Sequence, residues 1–223
     1  GFTTLPLALR GNLESMDINK KNENGYDLTA VLFTPDKESP GTVESLVDFS
    51  EKVDATWQHS PDGKKHEVTL TNVPAGMKGE RILRLSVSSN KLGVEKADVV
   101  TVSIPDQNDF SVYDVVYVSE PECYVEVAFT KLLDSAQDMR GLAFIAGNTS
   151  ETVNVDGNKL RLYPDADLRE KGAMNIHLNQ GIRSKSGLNL KEAVVRQVVA
   201  NEQKPNVRFI GKGVIIPQST QLS

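Results

Sequence analysis

With 223 residues, 39% apolar and 25% charged, the chain has the make-up of a soluble globular protein long enough for two domains of about 100 residues each. A formal charge of −5 argues against a nucleic-acid partner, and no apolar run approaches the about 20 residues of a membrane helix, so no direct membrane insertion is expected. A single cysteine excludes an internal disulfide framework.

Helical periodicity is scarce, and short apolar or alternating runs bounded by Gly, Pro, Asn and Asp predict an all-β sandwich class. Leu5–Arg10 is a candidate first strand, and Asn19–Gly25 reads as a polar loop. Strands are predicted over Tyr26–Thr34, Val43–Ser50, Ala55–His59, His66–Asn72, Arg81–Ser88 and Asp98–Ile104. The Ser60-Pro61-Asp62-Gly63 stretch supplies a turn between the third and fourth of these. Pro105–Asp109 is polar, starts with proline and separates two strand series, which marks it as a linker.

The second series predicts strands over Phe110–Ser119, Cys123–Thr130, Gly141–Ala146, Thr152–Val155, Lys159–Tyr163, Ala173–Leu178 and Ala193–Ala200, with a hairpin turn at Asp156-Gly157-Asn158. Seven short strands in this space fit an immunoglobulin-like sandwich. Val47–Asp54 aligns with Val127–Asp134, and Lys78-Gly79 followed by Leu83–Val87 aligns with Lys171-Gly172 followed by Met174–Leu178, which predicts a tandem pair of like domains. The expected division is 1–106 and 107–206. Residues 207–223, with the strand formers of Val207–Pro217, start a further, truncated domain.

Candidate chemistry is sparse. His59 and His66 flank a turn, but a metal site needs three or four converging ligands, so both are read as surface hairpin residues. His177 lies in another strand and offers still less. Cys123 lies in Glu120-Pro121-Glu122-Cys123-Tyr124, where neighbouring carboxylates should raise the thiol pKa and leave it inert. Gly211-Lys212-Gly213 lacks the upstream Gly and downstream Ser or Thr of a phosphate loop. Asp36/Glu38, Asp106/Asp109 and Asp165/Asp167 are read as solvated loop carboxylates rather than calcium ligands. Asn148-Thr149-Ser150 matches a glycosylation acceptor, and Trp57 is assigned to the core. No catalytic, cofactor-binding or metal residue is assigned, and no enzyme is expected.

Several stretches resemble the N-terminal part of bacterial α2-macroglobulin-family proteins. They are Tyr124–Asp134, Gly157–Pro164, Gly181–Gly187 and, most specifically, Lys204–Pro217, which is similar to the family's K-P-x-V-R-F-x-G-K-G-V-I-x-P run. The resemblance covers about residues 108–217. It implies macroglobulin-type scaffold domains of a large periplasmic or cell-surface protein, lipid-anchored in some members, that traps proteases through a bait region and often a Cys–Gln thioester. Cys123 is followed by Tyr-Val-Glu, not the thioester pattern, so that role is not carried over. The implied partners are the remaining domains of the same chain and, through parts outside these residues, target proteases. The alternative expectation is a cell-surface adhesin or carbohydrate-binding module.

Overall fold

A computed structural model describes residues 9–87, 97–149 and 152–200. Within them the chain runs β1 (Arg10–Asn19), β2 (Asn22–Phe33), α1 (Pro40–Leu46), β3 (Val47–Phe49), β4 (Asp54–His59), β5 (Lys65–Pro74), β6 (Arg81–Val87) and β7 (Ala97–Ile104). It continues as β8 (Val112–Val118), β9 (Tyr124–Phe129), β10 (Ala143–Ile145), β11 (Val153–Asp156), β12 (Lys159–Leu162), α2 (Ala166–Lys171), β13 (Ala173–Leu178) and β14 (Val194–Val199). The all-β, immunoglobulin-like expectation holds.

The strands pair as four antiparallel sheets, β1-β2-β5-β4 with β3-β6-β7, and β8-β9-β12-β11 with β10-β13-β14. Lettered A to G within each half, both give the order A-B-E-D facing C-F-G, the arrangement of a constant-type immunoglobulin domain. Period-2 burial explains the layering. Tyr26, Leu28, Ala30 and Leu32 of β2 and His66, Val68 and Leu70 of β5 turn inward, as do Met174, Ile176 and Leu178 of β13. The buried apolar residues form two clusters, one from Leu13 to Ile104 and one from Phe110 to Val198.

Several sequence expectations need correction. The first described strand is Arg10–Asn19, and only Lys20-Lys21 separate it from β2, so Asn19–Gly25 is mostly hairpin rather than loop. Leu5–Arg10 lies largely outside the described residues. Val43–Ser50 is not one strand, since Pro40–Leu46 is helical. Ser39 caps this helix by accepting the Thr42 N–H at 3.3 Å, Pro40 opens the first turn, and Val43 and Leu46, three apart, are its buried face. The second helix was missed as well. Asp165 caps it through the Leu168 N–H at 3.0 Å, and Gly172 ends it at φ 78°.

The internal alignment is half right. Leu83–Val87 and Met174–Leu178 are both the F strand, β6 and β13. Val47–Asp54 begins on a C strand, whereas Val127–Asp134 begins on a B strand, so that similarity is out of register. The 207–223 stretch, with the Gly211-Lys212-Gly213 run inside it, lies outside the described residues.

Candidate functional site

The junction between the two sandwiches holds a set of buried and half-buried polar contacts. Tyr26, fully buried in the first cluster, sends its hydroxyl across to donate to the Thr130 backbone oxygen at 2.9 Å. A bulge in β8, where Val112 faces Phe129 and Asp114 faces Ala128, leaves Tyr113 as the extra residue. Its hydroxyl donates to the Met16 backbone oxygen, and its ring packs on the first cluster. Each half thus lends a tyrosine to the other, with an apolar ring buried and a polar tip satisfied.

Around these two bonds, Lys131, 6% exposed, donates to Asn24 Oδ1 at 3.1 Å. Burial holds its ammonium below the usual lysine range, against the opposing pull of Asp106, Asp109 and Glu23. Lys185 pairs with Glu23 at 2.6 Å, and Lys159 bridges Asp17 and Glu126 at 3.4 Å each. The Tyr26 phenol is shifted upward by burial first and then by Asp109 and Asp106, so it stays protonated and donates at neutral pH.

The expected linker is part of this junction rather than a free tether. Gly76 and Asp106 form a parallel bridge, with Gly76 N–H donating to Pro105 O at 2.8 Å and Gln107 N–H to Gly76 O at 2.7 Å. Asp106 also accepts the Gly79 and Asn108 N–H groups, which lower its pKa. Asp109 accepts from Ser111 Oγ at 2.8 Å and pairs with Lys191. Thr130 closes the turn, accepting from Ser111 N–H and donating to Asp109 O, both at 3.0 Å.

The other singled-out residues are dispersed. His59 and His66 do meet, Nδ1 to Nδ1 at 2.8 Å, but His66 is 0% exposed, which overturns its reading as a surface residue. His59 Nε2 lies 3.0 Å from Glu44 Oε1, and His66 Nε2 lies 3.5 Å from Thr34 Oγ1, so a hydrogen-bonded chain links α1 to the end of β2. Burial, then His59, pushes the His66 pKa down. A 2.8 Å gap between two imidazole nitrogens holds one proton, not a metal ion. Trp57, assigned to the core from sequence, is instead half-buried at the margin of the first cluster, where it stacks on His59 at 5.9 Å. His177 stacks on Phe144 at 5.0 Å.

Cys123 also differs from expectation. The Tyr117 hydroxyl and then Arg169 hold its thiol below its ordinary value, opposite to the effect inferred from the flanking glutamates. Of the acidic pairs, Asp106 and Asp165 accept backbone N–H groups. Asp165 caps α2 and accepts from Thr149, Asp167 sits in that helix's first turn, and the Asp36 backbone oxygen accepts from Thr34 Oγ1. Among the described residues no group of three His, Cys, Asp or Glu side chains could hold a metal ion. Asn148 is tied to Tyr163 O and the Asp165 N–H, and Ser150 of that triplet lies outside the described residues.

The junction residues Tyr26, Tyr113, Thr130 and Lys131 were not found from sequence. Their partners lie 104, 97, 104 and 107 positions away, and no local pattern signals such pairs. No protein-family model and no curated protein matches the sequence.

Proposed function

We propose that the chain is a non-catalytic scaffold whose two sandwiches are held at a fixed angle, part of an extracytoplasmic, protease-trapping protein of the α2-macroglobulin kind. The observation that carries the scaffold reading is the reciprocal tyrosine clasp, Tyr26 to Thr130 and Tyr113 to Met16. Buried hydrogen bonds across a junction resist hinge motion because breaking them exposes or strands polar groups. The protease-trapping part of the proposal rests on the resemblance carried by Tyr124–Asp134 and Lys204–Pro217.

Two measurements test these parts separately. Spin labels at the exposed Lys52→Cys and Glu170→Cys, in a Cys123→Ser background, should give one narrow distance distribution, and a broad one would remove the rigid scaffold. Expression of the full reading frame with a protease should give a cleaved chain that retains the protease, and clean cleavage without retention would remove the trapping role.

A further inference from the structure

His59 and His66 meet at one corner of the first sandwich, where three elements are tied together. They are the last register pair of the β4–β5 ladder, just before the turn at residues 60–64. β4 is an edge strand bonded to β5 alone. Its His59 reaches Glu44 of α1 at 3.0 Å, and since a carboxylate only accepts, His59 Nε2 carries a hydrogen. The turn also holds the chain that runs from β2 to α1. Thr34 N–H donates to Lys64 O at 3.0 Å, and Glu38 N–H donates to Gly63 O at 2.8 Å.

The Nδ1–Nδ1 contact counts protons. At 2.8 Å it has room for a single hydrogen between the two nitrogens. The pair keeps the contact when neutral, with two ring hydrogens, and when singly charged, with three. A fourth hydrogen sets N–H against N–H, and the rings must part. The charged groups facing the pair are Glu44 from α1, Glu38 from the chain before it and Asp62 from the turn. The carboxylates draw the second proton in, while the burial of His66 and the charge on His59 oppose it.

His66 is 0% exposed and the His59 side chain 14%, so His59 is the ring free to move outward. In moving it leaves both Glu44 and the indole of Trp57, whose plane lies 5° from its own. α1 has seven residues, too few to persist alone, and its remaining hold is the buried pair Val43 and Leu46.

We propose that the His59–His66 pair is an acid-operated latch, in which uptake of a second proton separates the rings, frees Glu44 and loosens α1 from the edge of β4 while both sheets of the sandwich stay folded. The inference needs only this corner and stands apart from the protease-trapping reading.

The test compares amide-exchange protection factors and Trp57 emission of the whole chain between about pH 7.5 and 5, the range in which imidazoles titrate. Protection at Glu44–Leu46 and Ser60 should fall at least about tenfold while Leu83–Leu85 of β6 keep theirs. Trp57 emission should move to longer wavelength with a midpoint below about pH 6.5, the ordinary imidazole value. His59→Gln, a change at the half-buried edge, leaves one titrating ring and should shrink both responses at least about fivefold. Glu44→Gln leaves the pair intact, so the Trp57 response should remain while the pH response of α1 shrinks at least about threefold. Protection of α1 that ignores pH, an undiminished response in His59→Gln, an unchanged α1 response in Glu44→Gln, or equal loss of protection in β6 would each overturn the latch.

Discussion

Tyr26→Phe isolates the clasp from the core. The substitution keeps the ring that fills the first cluster and removes only the hydroxyl that reaches Thr130 O at 2.9 Å. Losing a buried bond to a backbone carbonyl costs about 1–3 kcal/mol, because the bond is lost and its acceptor stays desolvated. At about 2–4 °C per kcal/mol for a chain of this size, the melting temperature should fall by several degrees. Trp57 is the single tryptophan and lies in the first sandwich, so its fluorescence reports that half alone, while far-UV circular dichroism reports both. The two urea transitions should coincide in the native chain and separate in the variant. The phenol also has a pH signature. Its folded pKa is raised by burial, Asp109 and Asp106, so its contribution is complete below the unfolded value of about 10 and is lost as pH rises beyond it. Tyr26→Phe should flatten that alkaline limb. An unchanged midpoint with coincident transitions would refute the view that the hydroxyl couples the halves.

His66, with a pKa depressed by burial and His59, favours the neutral form in the fold, so its contribution is present above about pH 6.5 and lost as pH falls below. His66→Leu should therefore flatten the stability profile between about pH 7 and 5, and an unaltered slope would count against a buried, neutral His66. Gly76→Ala would place a Cβ 2.0 Å from Gly79 O and 3.4 Å from Asp106 Cα. Overpacking of that kind costs about 1–3 kcal/mol, so thermal unfolding should move down, and an unchanged melting temperature would show the bridge to be dispensable. Iodoacetamide should alkylate Cys123 with a pH midpoint below that of a free thiol, since Tyr117 and Arg169 favour the thiolate. Tyr117→Phe and Arg169→Ala should each raise that midpoint; no change in either would remove the proposed cause.

The strands that could be read from sequence are those whose alternation faces a core. β5 and β13 were placed to within a few residues because His66-Val68-Leu70 and Met174-Ile176-Leu178 repeat at period two. β1 escaped notice because Arg10, Asn12, Glu14, Asp17 and Asn19 make it polar and two register shifts break its alternation. α1 was read as strand because Val43 and Val47 are β-branched, although Ser39-Pro40 is a helix-start signal. Tertiary packing of Val43 and Leu46 outweighed the residue preference. The junction was illegible for a different reason. A tyrosine's sequence neighbours determine whether it is buried, but not which carbonyl a hundred residues away its hydroxyl will meet. Cys123 shows the same limit, since its thiol is lowered by Tyr117 first and then by Arg169, which reaches it only once α2 has folded beside it.

The clasp has a mechanical consequence. Seven residues, 105–111, join β7 to β8, and fully extended they could span about 24 Å. Under tension along the chain, each sandwich shares its load over ladders of backbone bonds, whereas the halves are tied by two tyrosine bonds, the Lys131–Asn24 bond and the Lys159–Asp17 and Lys185–Glu23 ion pairs. The smaller set opens first. The junction should therefore part before either sandwich unfolds when the chain is pulled from its ends.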